Sequence, residues 1–90
     1  MFKDDLRAKF NRGKALFKRR RFEEACRCFE ELDSATPNMP EILYAYARCL
    51  IYLKRYEEAG RLANRLQTMH SDPRGPMLNH RIAELQAREE

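Results

Sequence analysis

The stretch Arg20-Arg21-Phe22-Glu23-Glu24-Ala25-Cys26-Arg27 returns as Lys54-Arg55-Tyr56-Glu57-Glu58-Ala59-Gly60-Arg61, 34 residues later at every position. Outside this run, Gly13 matches Ala47, Leu16 matches Leu50 and Leu32 matches Leu66 at the same distance. A period of this length with two helices per unit marks stacked helical hairpins. No unit can bury its apolar face alone, so neighbours bury it together.

Working outward from the repeat, apolar spacing predicts five helices. Phe2, Leu6, Phe10, Gly13 and Phe17 fall at steps of three or four, with Leu16 beside them, giving a helix over residues 4–19. Phe22, Ala25, Cys26, Phe29 and Leu32 make one face of a second, over 20–32. Lys18-Arg19-Arg20-Arg21 lies between them without glycine or proline, so the turn is tight and the pair antiparallel. The third helix follows Ser34-Ala35-Thr36-Pro37. Asn38 is its expected cap, Pro40 its first turn and Glu41 the residue reaching back to the cap amide. Residues 42–53 are apolar nearly all round, with Arg48 the only charge, which marks a central helix with neighbours on several sides. The fourth helix, over 56–69, turns Tyr56, Ala59, Leu62, Ala63, Leu66 and Met69 inward. Asp72-Pro73 is the expected cap and first residue of a fifth, which runs to about residue 88 with Leu78, Ile82 and Leu85 in line.

Composition narrows the class. Ninety residues suit one domain, 1–90. The chain is 43% hydrophobic and 36% charged, which is globular rather than disordered. Lys3, Asp4 and Asp5 interrupt the start, so no secretory signal is read, and the apolar run of 42–53 is too short to span a bilayer. Three cysteines without framework spacing fit a reducing compartment, with the cytoplasm as the expected location. Residues 1–21 hold nine Lys or Arg, whereas residues 22–41 hold six acids, so a basic end adjoins an acidic patch.

At this point the chain resembles the tetratricopeptide repeat (TPR) family. The resemblance rests on small Gly13 and Ala47 midway along the first helix of each hairpin and on Phe22 and Tyr56 opening the second. It continues with Ala25 and Ala59 one turn on, and with Pro37 between units. It covers units of about 6–39 and 40–73, with a terminal or capping helix over about 74–88 that looks like half of a third unit. It implies an all-α superhelix of stacked antiparallel hairpins. Three departures stand out. Lys9 and Arg12 occupy usually apolar places, Ala63 stands where the first unit has Phe29, and Pro73 falls two residues later than Pro37 would set it. The fifth helix is therefore expected to be shifted.

The resemblance also implies a protein-binding groove lined by the first helix of each unit. Arg7, Phe10, Lys14, Phe17 and Lys18 would come from the first helix, and Glu41, Tyr44, Arg48, Ile51 and Tyr52 from the third. Leu78, Ile82 and Leu85 would add to it from the fifth. Such a surface suits a peptide or amphipathic helix with apolar anchors and acidic flanks. A second copy of the chain is the other candidate occupant, because a short array leaves an apolar stripe to cover. At the places where one TPR subfamily grips a C-terminal carboxylate, this chain has Phe10, Lys14, Ala45, Gly75 and Asn79, which argues against that clamp.

Nucleic-acid binding is a further alternative, resting on the basic first helix and the Lys18–Arg21 run. Against it, the second turn repeats the charge with Lys54-Arg55, and no zinc-finger or ribonucleoprotein signature is present. Nothing points to an enzyme, a metal or a cofactor. Cys26 and Cys28 point roughly 200° apart on a helix, Cys49 reads as a small core residue, and His70 and His80 flank a proline-rich turn.

Overall fold

In a computed structural model, which describes residues 4–89, the chain is α-helical throughout apart from its turns. The helices are α1 (Asp4–Lys18), α2 (Phe22–Ala35), α3 (Pro40–Tyr52), α4 (Tyr56–His70) and α5 (Arg74–Glu89). Phe2, assigned above to the first apolar stripe, lies outside the described residues.

The two hairpin turns are built alike. Arg20 (φ 64°) and Lys54 (φ 62°) take the left-handed conformation. Arg20 N–H bonds the Phe17 carbonyl and Arg21 N–H the Leu16 carbonyl, both at 2.9 Å. Lys54 and Arg55 repeat this to Ile51 and Leu50 at 3.0 and 2.8 Å. This is the Schellman closure, made here without glycine. It moves the start of the second helix from the expected residue 20 to Phe22, because a left-handed residue cannot continue a right-handed helix.

The α2–α3 connection departs from expectation. Asn38 does not cap α3. Met39 occupies the cap position without a side-chain bond, and Pro40 opens the helix. Asn38 is itself left-handed (φ 65°), and its side-chain oxygen accepts from Arg65 Nη2 at 2.6 Å. Arg65 also forks onto Asp33 at 3.1 Å through both terminal nitrogens, and His70 Nε2 lies 2.6 Å from the Asn38 carbonyl oxygen. The loop is thereby tied to α4 instead. Glu41 does not reach back to a cap amide but accepts from Arg74 on α5.

The odd-numbered helices form one layer: α1 touches α3, and α3 touches α5. Each also packs on its hairpin neighbour. On the other side α2 and α4 stand further apart, bridged by side chains such as Asp33–Arg65. A stack tighter along one layer than the other curves, with α1, α3 and α5 on the inside. The core centres on α3, which buries Ile42, Leu43, Tyr46, Ala47, Cys49 and Leu50 against Phe29, Leu32, Leu62 and Leu66. Ala25, Ala59 and Ala63 are fully buried where helices pass closely. The cysteines are free and buried, and burial pushes the Cys49 thiol up to about 12. Met69, expected inward, is 57% exposed.

Volume is traded between the units. A Cβ on Gly13 would stand 2.8 Å from the Phe29 ring, so the missing methyl is the space that ring occupies. One period later Ala47 carries the methyl, and Ala63 replaces the ring. The slot beside Ala63 is used by α5: a Cβ on Gly75 would lie 2.6 Å from the Ala63 carbonyl oxygen. Glycine is required there by backbone-to-backbone approach.

Asp72 caps α5 as its spacing implies. Its carboxylate accepts from Arg74 N–H at 2.9 Å, and Met77 N–H reaches the Pro73 carbonyl at 3.3 Å. Three contacts then hold α5 along its length. Arg74 bonds Glu41 at 3.0 Å, Asn79 bonds Asn64 at 3.0 Å, and the Tyr56 hydroxyl donates to Glu89.

Candidate functional site

The inner layer contains two interfaces of the same kind, α1 against α3 and α3 against α5. The first is closed by aromatic rings. Phe17 ends α1, Phe22 opens α2 and Tyr52 ends α3, and the turn geometry brings all three to one end of the stack. Phe22 and Tyr52 lie parallel with centroids 4.5 Å apart. Phe17 meets them edge-on at 5.2 and 5.3 Å. Further along α1, Phe10 packs edge-on to Phe29 at 5.8 Å. Each such pair adds about 0.5–1.5 kcal/mol beyond its area burial.

One period later the same positions read Ile51, Tyr56 and Gln86. Gln86 replaces the ring of Tyr52, and its neighbours Ala87 and Arg88 carry none either. Among the described residues Tyr56 has no aromatic partner, and its hydroxyl bonds Glu89. Ile51, smaller than the ring of Phe17 that it matches, faces this second interface, where a cleft of about 850 Å³ remains open. One wall is Tyr44, Arg48, Ile51 and Tyr52 of α3, and the other is Met77, Leu78, Arg81 and Leu85 of α5. Lys54 and Tyr56 line it from the α3–α4 turn, and Pro76, His80, Glu84 and Glu89 complete it. Met77 is 64% and Tyr52 52% exposed, an amount of open apolar surface worth explaining in a chain this small.

Two arginines contact Tyr44, with opposite bonding. Arg74 lies over the ring at 4.7 Å and is saturated by carboxylates, reaching Asp72 at 2.7 Å and Glu41 at 3.0 Å. The guanidinium and a backbone N–H hold the Asp72 carboxyl below its usual range. Arg48 lies 5.5 Å from the centroid of the Tyr44 ring and 4.8 Å from that of Phe17. Among the described residues it makes no side-chain hydrogen bond and no ion pair. Lys54 has none either, whereas both acids lining the cleft are engaged, Glu84 with Arg81 and His80, and Glu89 with Tyr56.

Of the residues assigned to a groove by spacing, Tyr44, Arg48, Ile51 and Tyr52 meet in this cleft, joined by Leu78 and Leu85. Ile82 is buried in the core instead. Arg7, Phe10, Lys14, Phe17 and Lys18 lie on α1, outside the cleft lining. Phe10 and Phe17 are half-buried in the first interface, Lys14 Nζ sits 5.3 Å over the Phe10 ring, and Arg7 and Lys18 are exposed. Tyr56, expected to turn inward on the fourth helix, lines the cleft. The residues missed were those of α5, namely Met77, Arg81 and Glu84. Their spacing beside Leu78 and Leu85 is a legible second stripe, passed over because the single line of Leu78, Ile82 and Leu85 reads as the whole face.

Among the described residues no helix is long and apolar enough to cross a membrane. No curated protein and no solved structure matches the chain. Residues 1–66 match the family described as anaphase-promoting complex, cyclosome, subunit 3, whose TPR-like repeats are in general protein-interaction modules. The matched residues end within α4, so α5 lies outside them. With two helical hairpins, a shared period and most of its length matched, the chain belongs to the family of anaphase-promoting complex, cyclosome, subunit 3 and its TPR-like repeats.

Proposed function

We propose that the chain is a non-enzymatic adaptor or scaffold. On this reading it holds an apolar-anchored helix or peptide of another protein in the cleft between α3 and α5. The observation that carries this reading is the contrast within the inner layer. One interface is filled by the chain's own rings, and its counterpart is open, apolar and lined by exposed Met77 and Tyr52. A cleft of about 850 Å³ is of the size in which a few side chains of a partner segment bury themselves. Two repeat units and a closing helix, 1–90 in all, form the module. Three buried free thiols agree with a reducing, cytoplasmic setting.

Charge favours a foreign partner over a second copy. Among the described residues Arg48 and Lys54 of the cleft pair with no carboxylate, Glu84 and Glu89 being engaged elsewhere, and two copies face to face would bring these cations together. In the exposed Lys18–Arg21 turn Arg21 pairs with Glu24 at 2.7 Å, and in the second turn Arg55 pairs with Glu23 and Glu58. That pattern is a solvated turn rather than a phosphate-binding track.

The test is selection from a displayed library of random peptides, about 16 residues long, against the immobilised 90-residue chain. Clones with apolar residues at helical spacing are expected, and Met77→Glu should weaken them about tenfold by placing a charge in the apolar wall. Met77 is so exposed that the fold should melt unchanged. Clones indifferent to Met77→Glu would overturn the assignment. A dimer in light scattering, dispersed by Met77→Glu, would replace it with self-association.

A further inference from the structure

We propose that Arg48 is a carboxylate reader. On the interaction reading above, from which this follows, the partner carries an Asp or Glu side chain beside its apolar anchors, and Arg48 receives it. The occupant is thus an acidic amphipathic segment rather than any apolar one.

Arg48 is held by aromatic rings. Its guanidinium rests against Phe17 and Tyr44, at 4.8 and 5.5 Å from the ring centroids. Ring faces attract the cation and restrict its rotamers, but they accept none of its N–H groups in the plane. The flanking rings are themselves fixed. Phe17 is wedged against Phe22 and Tyr52, and Tyr44 is covered by Arg74. The side chain is therefore pre-positioned, which lowers the ordering cost of binding. Arg74 is the control within the molecule. It leans on the same Tyr44 ring, yet Asp72 and Glu41 occupy its donors. Arg48 has the stacking without the acid.

The surroundings supply no internal substitute. Glu84 pairs with Arg81 and His80, and Glu89 accepts from Tyr56. What remains unmatched at the cleft is positive. A planar fork suits one carboxylate bidentately, and apolar Ile51 in the same wall provides the partly desolvated setting in which that bond counts.

The experiment repeats the peptide selection in parallel on the wild-type chain, Arg48→Gln and Arg48→Lys. From wild type, Asp or Glu should be enriched at one fixed spacing from the apolar anchors. From Arg48→Gln, the anchors should persist and the acid should vanish. A wild-type-selected peptide should bind Arg48→Gln at least about tenfold more weakly, the loss expected for a hydrogen bond to a charged group. Arg48→Lys, which keeps the charge and loses the fork, should fall between. Replacing the peptide's acid by its amide should cost wild type the same factor and cost Arg48→Gln nothing further. That peptide-side substitution stands even if Arg48→Gln unfolds. Acid enrichment that survives in Arg48→Gln, or wild-type clones with anchors and no acid, would overturn the carboxylate reading and leave the cleft assignment intact. Clones with no apolar spacing would fail the cleft itself, and this proposal with it.

Discussion

The α1–α3 and α3–α5 interfaces are built by one repeat and end up in opposite states. In the first, Phe17, Phe22 and Tyr52 interlock at one end of the helices. In the second, Ile51, Tyr56 and Gln86 stand at the matching positions, and a cleft remains. The backbone scheme is common to both: the same Schellman turn, the same small residues at close approach and the same layer order. What differs is two rings: Phe17 is matched by Ile51, which lines the cleft, and Tyr52 by Gln86, which does not. The repeat thus sets the scaffold, and one or two unrepeated side chains decide whether an inter-unit gap is core or site.

That comparison can be broken most severely from its closed side. Phe17→Ala removes the ring that meets Phe22, Tyr52 and Arg48 together, and should cost about 2–3 kcal/mol, below the range for fully buried phenylalanine because Phe17 is half-buried. Urea denaturation measures it. Ile51→Ala, one period on and facing the open cleft, should cost clearly less. Equal losses would mean that the two interfaces are not different in kind.

The open side is challenged next through the wall that forms it. Gly75→Ala places a methyl 2.6 Å from the Ala63 carbonyl oxygen and 3.0 Å from the Gln67 nitrogen, neither of which can swing aside. The clash should cost about 1–3 kcal/mol against a helix-propensity gain of at most about 1 kcal/mol. The net loss should appear first as faster amide exchange in α5.

A smaller effect of opposite sign sharpens the contrast. Gln86→Phe supplies the missing ring opposite Tyr56 and should raise stability by about 0.5–1.5 kcal/mol if the two rings meet. Gln86 lies outside the lining of the cleft, so peptide binding should be unchanged. Stabilisation with loss of peptide binding would mean that the partner reaches past the cleft to this position.

The smallest effect concerns the anchor of α5. The Asp72 carboxyl is held below its usual range by hydrogen bonds from Arg74. A depressed folded value stabilises the native state above the unfolded carboxylate range, about pH 4, and that contribution is lost as pH falls through the folded value. Acid titration should therefore loosen the start of α5 below that range, and Asp72→Asn should remove this acid dependence.

Much of this was legible in the sequence, for reasons that also explain the rest. The period was visible because Ala25, Ala59, Gly13 and Ala47 sit where helix axes approach, and size at such points is dictated by geometry. Arg48 was visible as the lone charge in an apolar helix. Three features were not. Asn38 looked like a cap, yet a left-handed backbone and the fork of Arg65 gave it a different role, and neither has a local signature. Phe10 and Phe17 looked like groove residues because spacing gives a face but not what a neighbouring helix brings to it. The Met77, Arg81 and Glu84 part of the α5 wall was hidden because Gly75 seats that helix by a contact with the α4 backbone, which periodicity does not encode.

The central claim is that the partner sits between α3 and α5. Isotope-filtered nuclear Overhauser spectra of the 13C-labelled chain bound to an unlabelled selected peptide test it most directly. Peptide protons should contact the methyl groups of Ile51, Met77 and Leu85 and leave Met69, beyond the cleft on α4, untouched. Contacts that fall on Met69 and miss those three methyls would contradict the account.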